Sequence, residues 1–211
     1  MKNKNRFGGL FLDSEPLPTE RIFDVLLNVL LIIAIFLFGM HLLFASVEVK
    51  GHSMDDTLYN GEYVAIGNFG SGCEVGDIVV VEKNDDADGE EDIMIIKRVT
   101  AVGGDKIAFA YDDGIISFYR NDFTRPVAEE YIKEPMANIG KFSAVPVAPS
   151  PEQISGYIVE IPADEIFVMG DNRNASTDSR ATGPVNKSAV KGKMVFAISG
   201  NVFWETVFGI K

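Results

Sequence analysis

The sequence predicts a mainly β protein, in which sheets fold on one another after a single N-terminal apolar helix. Two observations predict this fold class. Residues 22–45 form an apolar segment that is long enough, as a helix, to cross a bilayer core of roughly 30 Å. After Ser46 the apolar residues recur with a period of two, in short runs bounded by glycine-rich turns.

The apolar segment is interpreted as a membrane span. No polar side chain occurs between Val29 and Met40, and the segment exceeds the roughly 7–15 apolar residues of a signal peptide. Cleavage at the step Phe44-Ala45-Ser46 stays open as an alternative. Basic residues precede the span and only Lys50 closely follows it, and basic residues favour the cytoplasmic side. We therefore expect residues 1–21 to form a cytoplasmic tail and the remainder to lie outside.

Period-two alternation and turn residues predict the strands of the remaining chain. A hairpin is expected about residues 112–114, and the proline-rich region 121–155 has room for one short helix. In the run that ends with Lys97 and Arg98, alternation predicts that one charge points inward and the other outward. The predicted strands are residues 47–50, 61–66, 77–81, 93–102, 106–110, 114–119, 157–161, 166–169 and 193–198.

The composition excludes several classes of function. The chain has 211 residues and a formal net charge of −12. This acidity argues against a nucleic-acid partner, because phosphate binding needs clustered lysine and arginine. Cys73 is the only cysteine, so an intrachain disulfide and a site built from several thiolates are excluded.

The acidic stretch 84–92 matches the first half of a calcium loop. A complete loop needs a bidentate glutamate at its twelfth position, where this chain has Ile95. A solvated hairpin tip is the favoured interpretation, with a metal site as the alternative. We predict no metal and no cofactor for this protein.

Ser53 and Lys97 are the candidate catalytic pair. A serine needs a base before its hydroxyl can attack a carbonyl. Of the two histidines, His41 lies in the apolar segment, and His52 adjoins Ser53, so the two side chains would point to opposite faces of an extended strand. Lys97 follows four apolar residues, and burial can lower a lysine pKa from ~10.4 toward ~7–8. Serine–lysine catalysis is a known variant of the triad.

Three short blocks carry a family resemblance. Residues 170–180, GDNRNASTDSR, are dense in short polar groups, as in a hydrogen-bonded loop or a solvated turn. This block resembles the Gly-Asp-Asn-x-x-x-Ser-x-Asp-Ser-Arg pattern of bacterial type I signal peptidases, in the form typical of Gram-positive bacteria. The family's Ser-Met-x-Pro-Thr-Leu block begins here at Ser53, with Asp56 in the proline position. Its Lys-Arg-Val-x-x-x-Pro-Gly-Asp block begins at Lys97, with Gly103 replacing the proline.

The resemblance implies a membrane-anchored serine endopeptidase that removes signal peptides from secreted preproteins and cuts after small residues. It implies that Ser53 is the nucleophile of an acyl-enzyme mechanism and that Lys97 is its uncharged general base. Ser176 matches the serine that orients the lysine. Some family members have a second oxyanion donor, a serine, two residues before the nucleophile, where this chain has Gly51.

The resemblance also implies a supporting shell and a substrate surface. Asp178 and Arg180 match a salt-bridged pair, and Asp171 matches an acidic residue near it. The preprotein is expected to lie extended along exposed strands. Its small side chains would enter shallow apolar pockets, for which Met54 and Ile95 are the candidate lining residues.

The fold that the resemblance implies is an antiparallel β-sheet catalytic domain with an inserted β sub-domain. The apolar C-terminal tail would either help the catalytic face to rest on the membrane or pack in an ordinary core. The predicted parts are a tail (1–21), a transmembrane anchor (22–45), a catalytic core (46–105 and 157–200), an inserted non-catalytic sub-domain (106–156) and the C-terminal tail (201–211).

The expected partners are secreted preproteins, membrane lipid and the secretion translocon. Two rival functions stay open. A self-cleaving SOS repressor uses a related pair, but it is soluble and carries a DNA-binding domain. A catalytically silent relative that assembles surface proteins or pili is motivated by Asp56 and Gly103. An endoplasmic-reticulum-type signal peptidase is excluded, because it would need a histidine in place of Lys97.

Overall fold

The computed structural model describes residues 18–55, 57–67, 72–83 and 93–198. Several predicted features lie outside these ranges. They are most of the tail 1–21, Asp56, the acidic stretch 84–92 and the C-terminal tail 201–211.

The chain divides into two compact units, with the boundary between Leu42 and Leu43. The first contains helix α1, Pro18–Leu43, which has 26 residues. Residues Arg21–Gly39 are long and apolar enough to cross a membrane by length and composition. The helix ends before the predicted span does, because Phe44 and Ala45 pair with strand residues Gly67 and Ile66.

The second unit is built from two β-sheets, which confirms the mainly β fold class. The strands are β1 (Phe44–Glu48), β2 (Tyr63–Gly67), β3 (Ile78–Lys83), β4 (Ile93–Val102), β5 (Lys106–Asp112), β6 (Ile115–Arg120), β7 (Val147–Ala148), β8 (Val159–Glu160), β9 (Glu165–Met169), β10 (Val185–Asn186) and β11 (Val190–Ile198).

The larger sheet has seven strands in the order β1-β2-β11-β3-β4-β9-β10. All of its pairings are antiparallel. The smaller sheet contains the predicted β5–β6 hairpin, with β7 parallel to β5 and β8 antiparallel to it. Since β8 follows residue 156, this sheet extends beyond the predicted insertion 106–156.

One buried apolar cluster contains residues of both sheets. Phe109 and Phe118 of the smaller sheet pack in the same buried cluster as Phe167 and Met169 of β9. The core therefore joins the region predicted as an insertion directly to the larger sheet. Burial of these aromatic rings supplies much of the stabilisation that holds the two sheets together.

Among the described residues after α1, helical structure is limited to short segments. The region 121–155 has two 3₁₀ turns, Ile139–Lys141 and Pro151–Gly156, where one short helix was predicted. Closely spaced prolines and glycines explain why neither turn extends into an α-helix. Helix α2, Ser179–Thr182, is four residues long, and the side chain of Asp178 caps it by accepting a hydrogen bond from Arg180 N–H.

Candidate active site

Ser53 lies in the turn between β1 and β2. The base of this turn is closed by two backbone hydrogen bonds, from Val49 N–H to Glu62 O at 2.7 Å and from Gly61 N–H to Val49 O at 2.9 Å. Its apolar side is anchored because Met54 is fully buried in the cluster that lines β2 and β3. The nucleophile candidate is thus carried by a turn with a fixed base and a core anchor.

Lys97 lies on β4 and is 4% exposed. Its Nζ donates to Ser53 Oγ at 2.8 Å and to Ile96 O at 3.0 Å. Burial lowers the pKa of Lys97 to about 8. The charge of Asp178 opposes this shift, that of Arg180 adds to it, and that of Asp171 opposes it. The lysine amine is therefore within proton-transfer distance of the serine, and its pKa is close to neutral pH.

His52 does not compete with Lys97 for Ser53. Its side chain is 72% exposed, and its Nδ1 lies 3.0 Å from Asp55 Oδ2. His41 belongs to α1, in the other unit of the chain. The exposure and contact of His52 agree with the sequence argument that this histidine does not serve as the base for Ser53.

The loop of residues 170–176 packs against the backbone of the Ser53 turn. Asn172 N–H donates to Ser53 O at 3.1 Å, and Asn172 Nδ2 donates to His52 O at 3.0 Å. A Cβ atom at Gly170 would overlap Ser53 O and Ser176 Oγ. Only glycine leaves room for this close approach.

Ser176 is fully buried beside Gly170. Its hydroxyl helps to lower the pKa of Asp178, but within the described part of the chain its Oγ makes no hydrogen bond to Lys97. The bond to Lys97 that the resemblance implies therefore stays a prediction.

Asp178 and Arg180 form a fully buried ion pair. Arg180 Nε and Nη2 donate to the two carboxylate oxygens of Asp178 at 2.8 and 2.7 Å. Gly170 N–H also donates to Asp178, at 3.0 Å. Burial alone would raise the pKa of Asp178, but the hydrogen bonds and charge of Arg180, helped by the Gly170 N–H, lower it.

Asp171 pairs with Arg98, which the sequence did not predict. Arg98 donates through Nε at 2.8 Å and Nη2 at 2.6 Å, and Thr57 Oγ1 donates to the same carboxylate at 2.6 Å. The expectation that one of the charges of Lys97 and Arg98 would point outward is wrong. The Arg98 side chain is only 12% exposed, because Asp171 supplies a buried counter-charge.

Several supporting residues were missed in the sequence. Thr57 and Asn172 lie inside the blocks that carry the resemblance, so their position in those blocks was an available signal. Glu129 and Tyr131 lie in the loose region 121–155 and contact Arg173 and Arg98 respectively. Only the folded chain brings these residues to the site. In the described residues no group of three or more His, Cys, Asp or Glu side chains could hold a metal ion.

A cleft of about 580 Å³ opens beside the Ser53–Lys97 pair. One wall is formed by residues 46–50, at the end of β1, and the second by residues 94–97 of β4, and Met54 also lines the cleft. Ile95 is part of the second wall, so both predicted substrate-binding residues line the cleft beside the candidate catalytic pair.

Among the described residues, both walls of the cleft present strand edges that no other strand pairs with. Val99 N–H bonds toward β3, at Asp77 O, and alternate strand residues share that direction. Met94 and Ile96 therefore direct their N–H and C=O groups away from β3, where β9 pairs only from Arg98 onward. By the same alternation from Val49, residues 46 and 48 face away from β2.

The chain combines an antiparallel β fold with a partly buried serine that is hydrogen-bonded to a buried lysine, an arrangement found in serine peptidases, a class of hydrolase. A family profile described as "Signal peptidase, peptidase S26" matches residues 22–199. The chain belongs to this family, whose members remove signal peptides.

Individual relatives carry the same description. The chain is 34% identical over 155 residues to signal peptidase IB of Staphylococcus aureus, which covers 70% of this chain and 74% of that protein. It is 31% identical over 182 residues to signal peptidase I of Bacillus licheniformis, with 83% and 87% covered. A crystal structure of a signal peptidase I from Enterococcus faecalis V583 matches with a TM-score of 0.38 and 21% identity, over 57% of this chain and 95% of that one.

Proposed function

We propose that this chain is a membrane-anchored endopeptidase that removes signal peptides from secreted preproteins through a Ser53–Lys97 dyad, cutting after small residues. The observation that carries the proposal is the 2.8 Å distance between Lys97 Nζ and Ser53 Oγ. It is supported by the burial that lowers the pKa of Lys97 to about 8. A buried amine in contact with a hydroxyl is the arrangement that serine–lysine catalysis needs.

The proposed reaction follows from the proton transfers that Ser53 and Lys97 can make. In its uncharged form, the Lys97 amine accepts the proton of Ser53 as Oγ attacks the scissile carbonyl. The resulting ammonium then gives that proton to the nitrogen of the leaving chain as the acyl-enzyme forms. The neutral amine next takes a proton from a water molecule as the water oxygen attacks the ester carbonyl. The Lys97 ammonium then returns that proton to Ser53 Oγ as the acyl bond breaks, which restores the serine hydroxyl and the neutral amine.

The negative oxygen of the tetrahedral intermediate needs a hydrogen-bond donor. We assign this role to the backbone N–H of Ser53. Gly51 has no hydroxyl to add, and its own N–H donates to Asn60 Oδ1 at 2.8 Å. Its φ of +87° is a conformation that serine rarely adopts. The second donor of some family members is therefore not expected at this position.

The preprotein would add as a strand between the two open edges of the cleft. Ser46 and Glu48 supply the backbone groups on one side, and Met94 and Ile96 supply them on the other. Ile96 O already accepts from Lys97 Nζ, which places this edge beside the reacting groups. The buried side chain of Met54 and that of Ile95 restrict the space for the substrate side chains, which favours small residues.

The surrounding residues would hold Ser53 and Lys97 in fixed positions relative to each other. Asp178, which is paired with Arg180, accepts a hydrogen bond from Gly170 N–H. Gly170 in turn packs against both Ser53 and Ser176. We propose that Ser176 orients the Lys97 ammonium when the lysine carries the proton. Asp171 would act from the other side, through Thr57 in the nucleophile turn.

The proposal includes location and partners. Helix α1 is long and apolar enough to serve as the anchor. Basic residues before α1 favour a cytoplasmic N-terminus and an extracytoplasmic catalytic unit. The partners are then preproteins emerging from the membrane, the lipid itself and the secretion translocon.

The test is cleavage of a preprotein with an Ala-x-Ala sequence before the cut, by the full chain in liposomes. We expect the wild type to cut after the second alanine and Ser53→Ala and Lys97→Ala to be inactive. Lys106→Ala is the matched control, because Lys106 is a half-exposed lysine on β5 with a long 3.9 Å contact to Glu160. A folded wild type that cuts none of several such preproteins would favour the silent relative instead.

A further inference from the structure

The loop of residues 127–136 is attached at both ends to β6. Val127 N–H donates to Phe118 O, and Ile116 N–H donates to Met136 O, each at 2.7 Å. Between these two bonds the loop carries Glu129 and Tyr131. A loop tied to a core sheet at both ends can hold its side chains in fixed positions.

Glu129 binds Arg173 of the 170–176 loop through two parallel hydrogen bonds. Arg173 Nη1 and Nη2 lie 2.6 Å from the two carboxylate oxygens, and the two side chains are 2% and 11% exposed. Bidentate pairs of this kind are strong and restrict geometry. Arg173 Nε then donates to Gly170 O at 3.1 Å, so the chain of contacts reaches Gly170.

Gly170 is the point at which this chain of contacts meets the catalytic groups. Its N–H donates to Asp178, and its Cα lies against Ser53 O and Ser176 Oγ with no room for another carbon. A displacement of Gly170 would therefore move the backbone of Ser53, the hydroxyl of Ser176, or both.

A second arm leads from Glu129 to the other side of the site. Tyr131 O–H donates to Glu129 Oε1 at 2.5 Å, and the Tyr131 ring lies 4.1 Å below the Arg98 guanidinium. Arg98 binds Asp171, which accepts a hydrogen bond from Thr57 in the Ser53 turn. Burial and the charge of Glu129 raise the pKa of Tyr131, so the hydroxyl keeps its proton.

We propose that Glu129 is a positioning residue for the reaction, acting on Ser53 and Ser176 through Arg173 and Gly170, and on Asp171 through Tyr131 and Arg98. This inference rests on the proposed function and assigns a task to a loop that the sequence placed in a non-catalytic insertion. Glu129 itself touches neither Ser53 nor Lys97. Glu129 affects the relative positions of the reacting groups, and small displacements of these groups lower the reaction rate by large factors.

The variants that test the proposal are Glu129→Gln and Tyr131→Phe. Glu129→Gln keeps the shape of the side chain but removes the counter-charge of a buried arginine. Tyr131→Phe removes only the O–H bond to Glu129 and leaves the ring under Arg98. Glu130→Gln is the matched control, because it removes the same charge from the same loop at an exposed position.

Preprotein cleavage by the full chain in liposomes is measured at a temperature where every variant is folded. For each variant kcat and KM are determined separately. We expect Glu129→Gln to lower kcat on the order of 10- to 100-fold and Tyr131→Phe to lower it less, both with KM nearly unchanged. Because Glu129 and Arg173 act in one chain of contacts, the double variant Glu129→Gln/Arg173→Lys should lose no more kcat than the worse single variant. Amide exchange at Gly170 and Asn172 should quicken in Glu129→Gln, while exchange in the β5–β6 hairpin stays unchanged.

Two results overturn the inference while the wild type is active. One is a kcat for Glu129→Gln equal to that of Glu130→Gln. The other is a loss of activity that follows the folded fraction alone. If the wild type does not cut, the proposed function fails together with the role of Glu129 in catalysis. Amide exchange at Gly170 in Glu129→Gln then still decides whether Glu129 fixes this loop.

Discussion

Lys97 Nζ lies 2.8 Å from Ser53 Oγ, although 44 positions separate the two residues in the chain. Lys97 is held by the inner strand β4, and Ser53 by a turn whose base is closed by hydrogen bonds between Val49 and residues 61 and 62. The contact is thus a property of the whole sheet. The contact requires that the Lys97 amine is removed from water, and this desolvation lowers the stability of the folded protein.

That cost predicts that Lys97→Met stabilises the protein at neutral pH while abolishing cleavage. The folded pKa of about 8 lies below the unfolded value of ~10.4, so the unfolded state binds more protons between these values and stability rises with pH there. At pH 7 the penalty is on the order of 3 kcal/mol. Urea unfolding should show a gain for Lys97→Met at pH 7 that shrinks by pH 10. A gain that is equal at both pH values would contradict a depressed lysine pKa.

Gly170→Ala should lower both activity and stability. The added Cβ would overlap Ser53 O and Ser176 Oγ, so the loop or the nucleophile turn must move. We expect a loss in kcat on the order of 10²-fold and a destabilisation of about 1–3 kcal/mol. Gly156→Ala is the control, because its Cβ would meet open space. If Gly170→Ala cleaves as fast as Gly156→Ala, the close packing does not matter for the reaction.

Gly103 fits its own surroundings better than the proline of the family pattern would. A Cβ at this position would overlap the carbonyl of Ala163, so both Gly103→Ala and Gly103→Pro should destabilise the fold by about 1–3 kcal/mol. Thermal unfolding of the two variants measures this effect. A melting temperature for Gly103→Pro at or above that of the wild type would show that the Ala163 segment can move aside.

Asp178→Asn should destabilise the protein in a pH-dependent way. The pKa of Asp178 is lowered in the folded state, so its carboxylate contributes stability above its unfolded pKa of ~3.9, and this is lost as pH falls through the folded value. Removing the charge also leaves Arg180 buried without its partner, which costs about 3–5 kcal/mol. Urea unfolding at pH 7 and pH 3 should show a large difference between wild type and variant at pH 7 and a smaller one at pH 3. An equal difference at both pH values would refute the assignment.

The sequence predicted the fold class and strand β4 with its observed bounds. Strong period-two runs and glycine turns carry that information locally. Residue type selected Ser53 and Lys97, because the histidines were badly placed and one lysine followed an apolar run. The motif resemblance selected Ser176, Asp178, Arg180 and Asp171.

The sequence did not predict the partners of Asp171 and Arg173. The pairs Arg98–Asp171 and Glu129–Arg173 join segments that are 73 and 44 positions apart. Such pairs follow from how the two sheets pack, and no local pattern records them. For the region 121–155 the sequence predicted only a loose segment with room for one short helix, and the structure has two short 3₁₀ turns there. The detail was not predictable, because the conformation of this region depends on contacts with β6 and with residues 173–180.

The most direct test of the central claim is the pH dependence of kcat/KM for preprotein cleavage, because it reports the pKa of the general base in the free enzyme. Lys97 must be uncharged to take the proton of Ser53, so activity should rise with pH through an apparent pKa of about 8. An ascending limb near 10.4, the value of a solvated lysine, would contradict the account. So would residual activity of Lys97→Ala that rises through the same pKa.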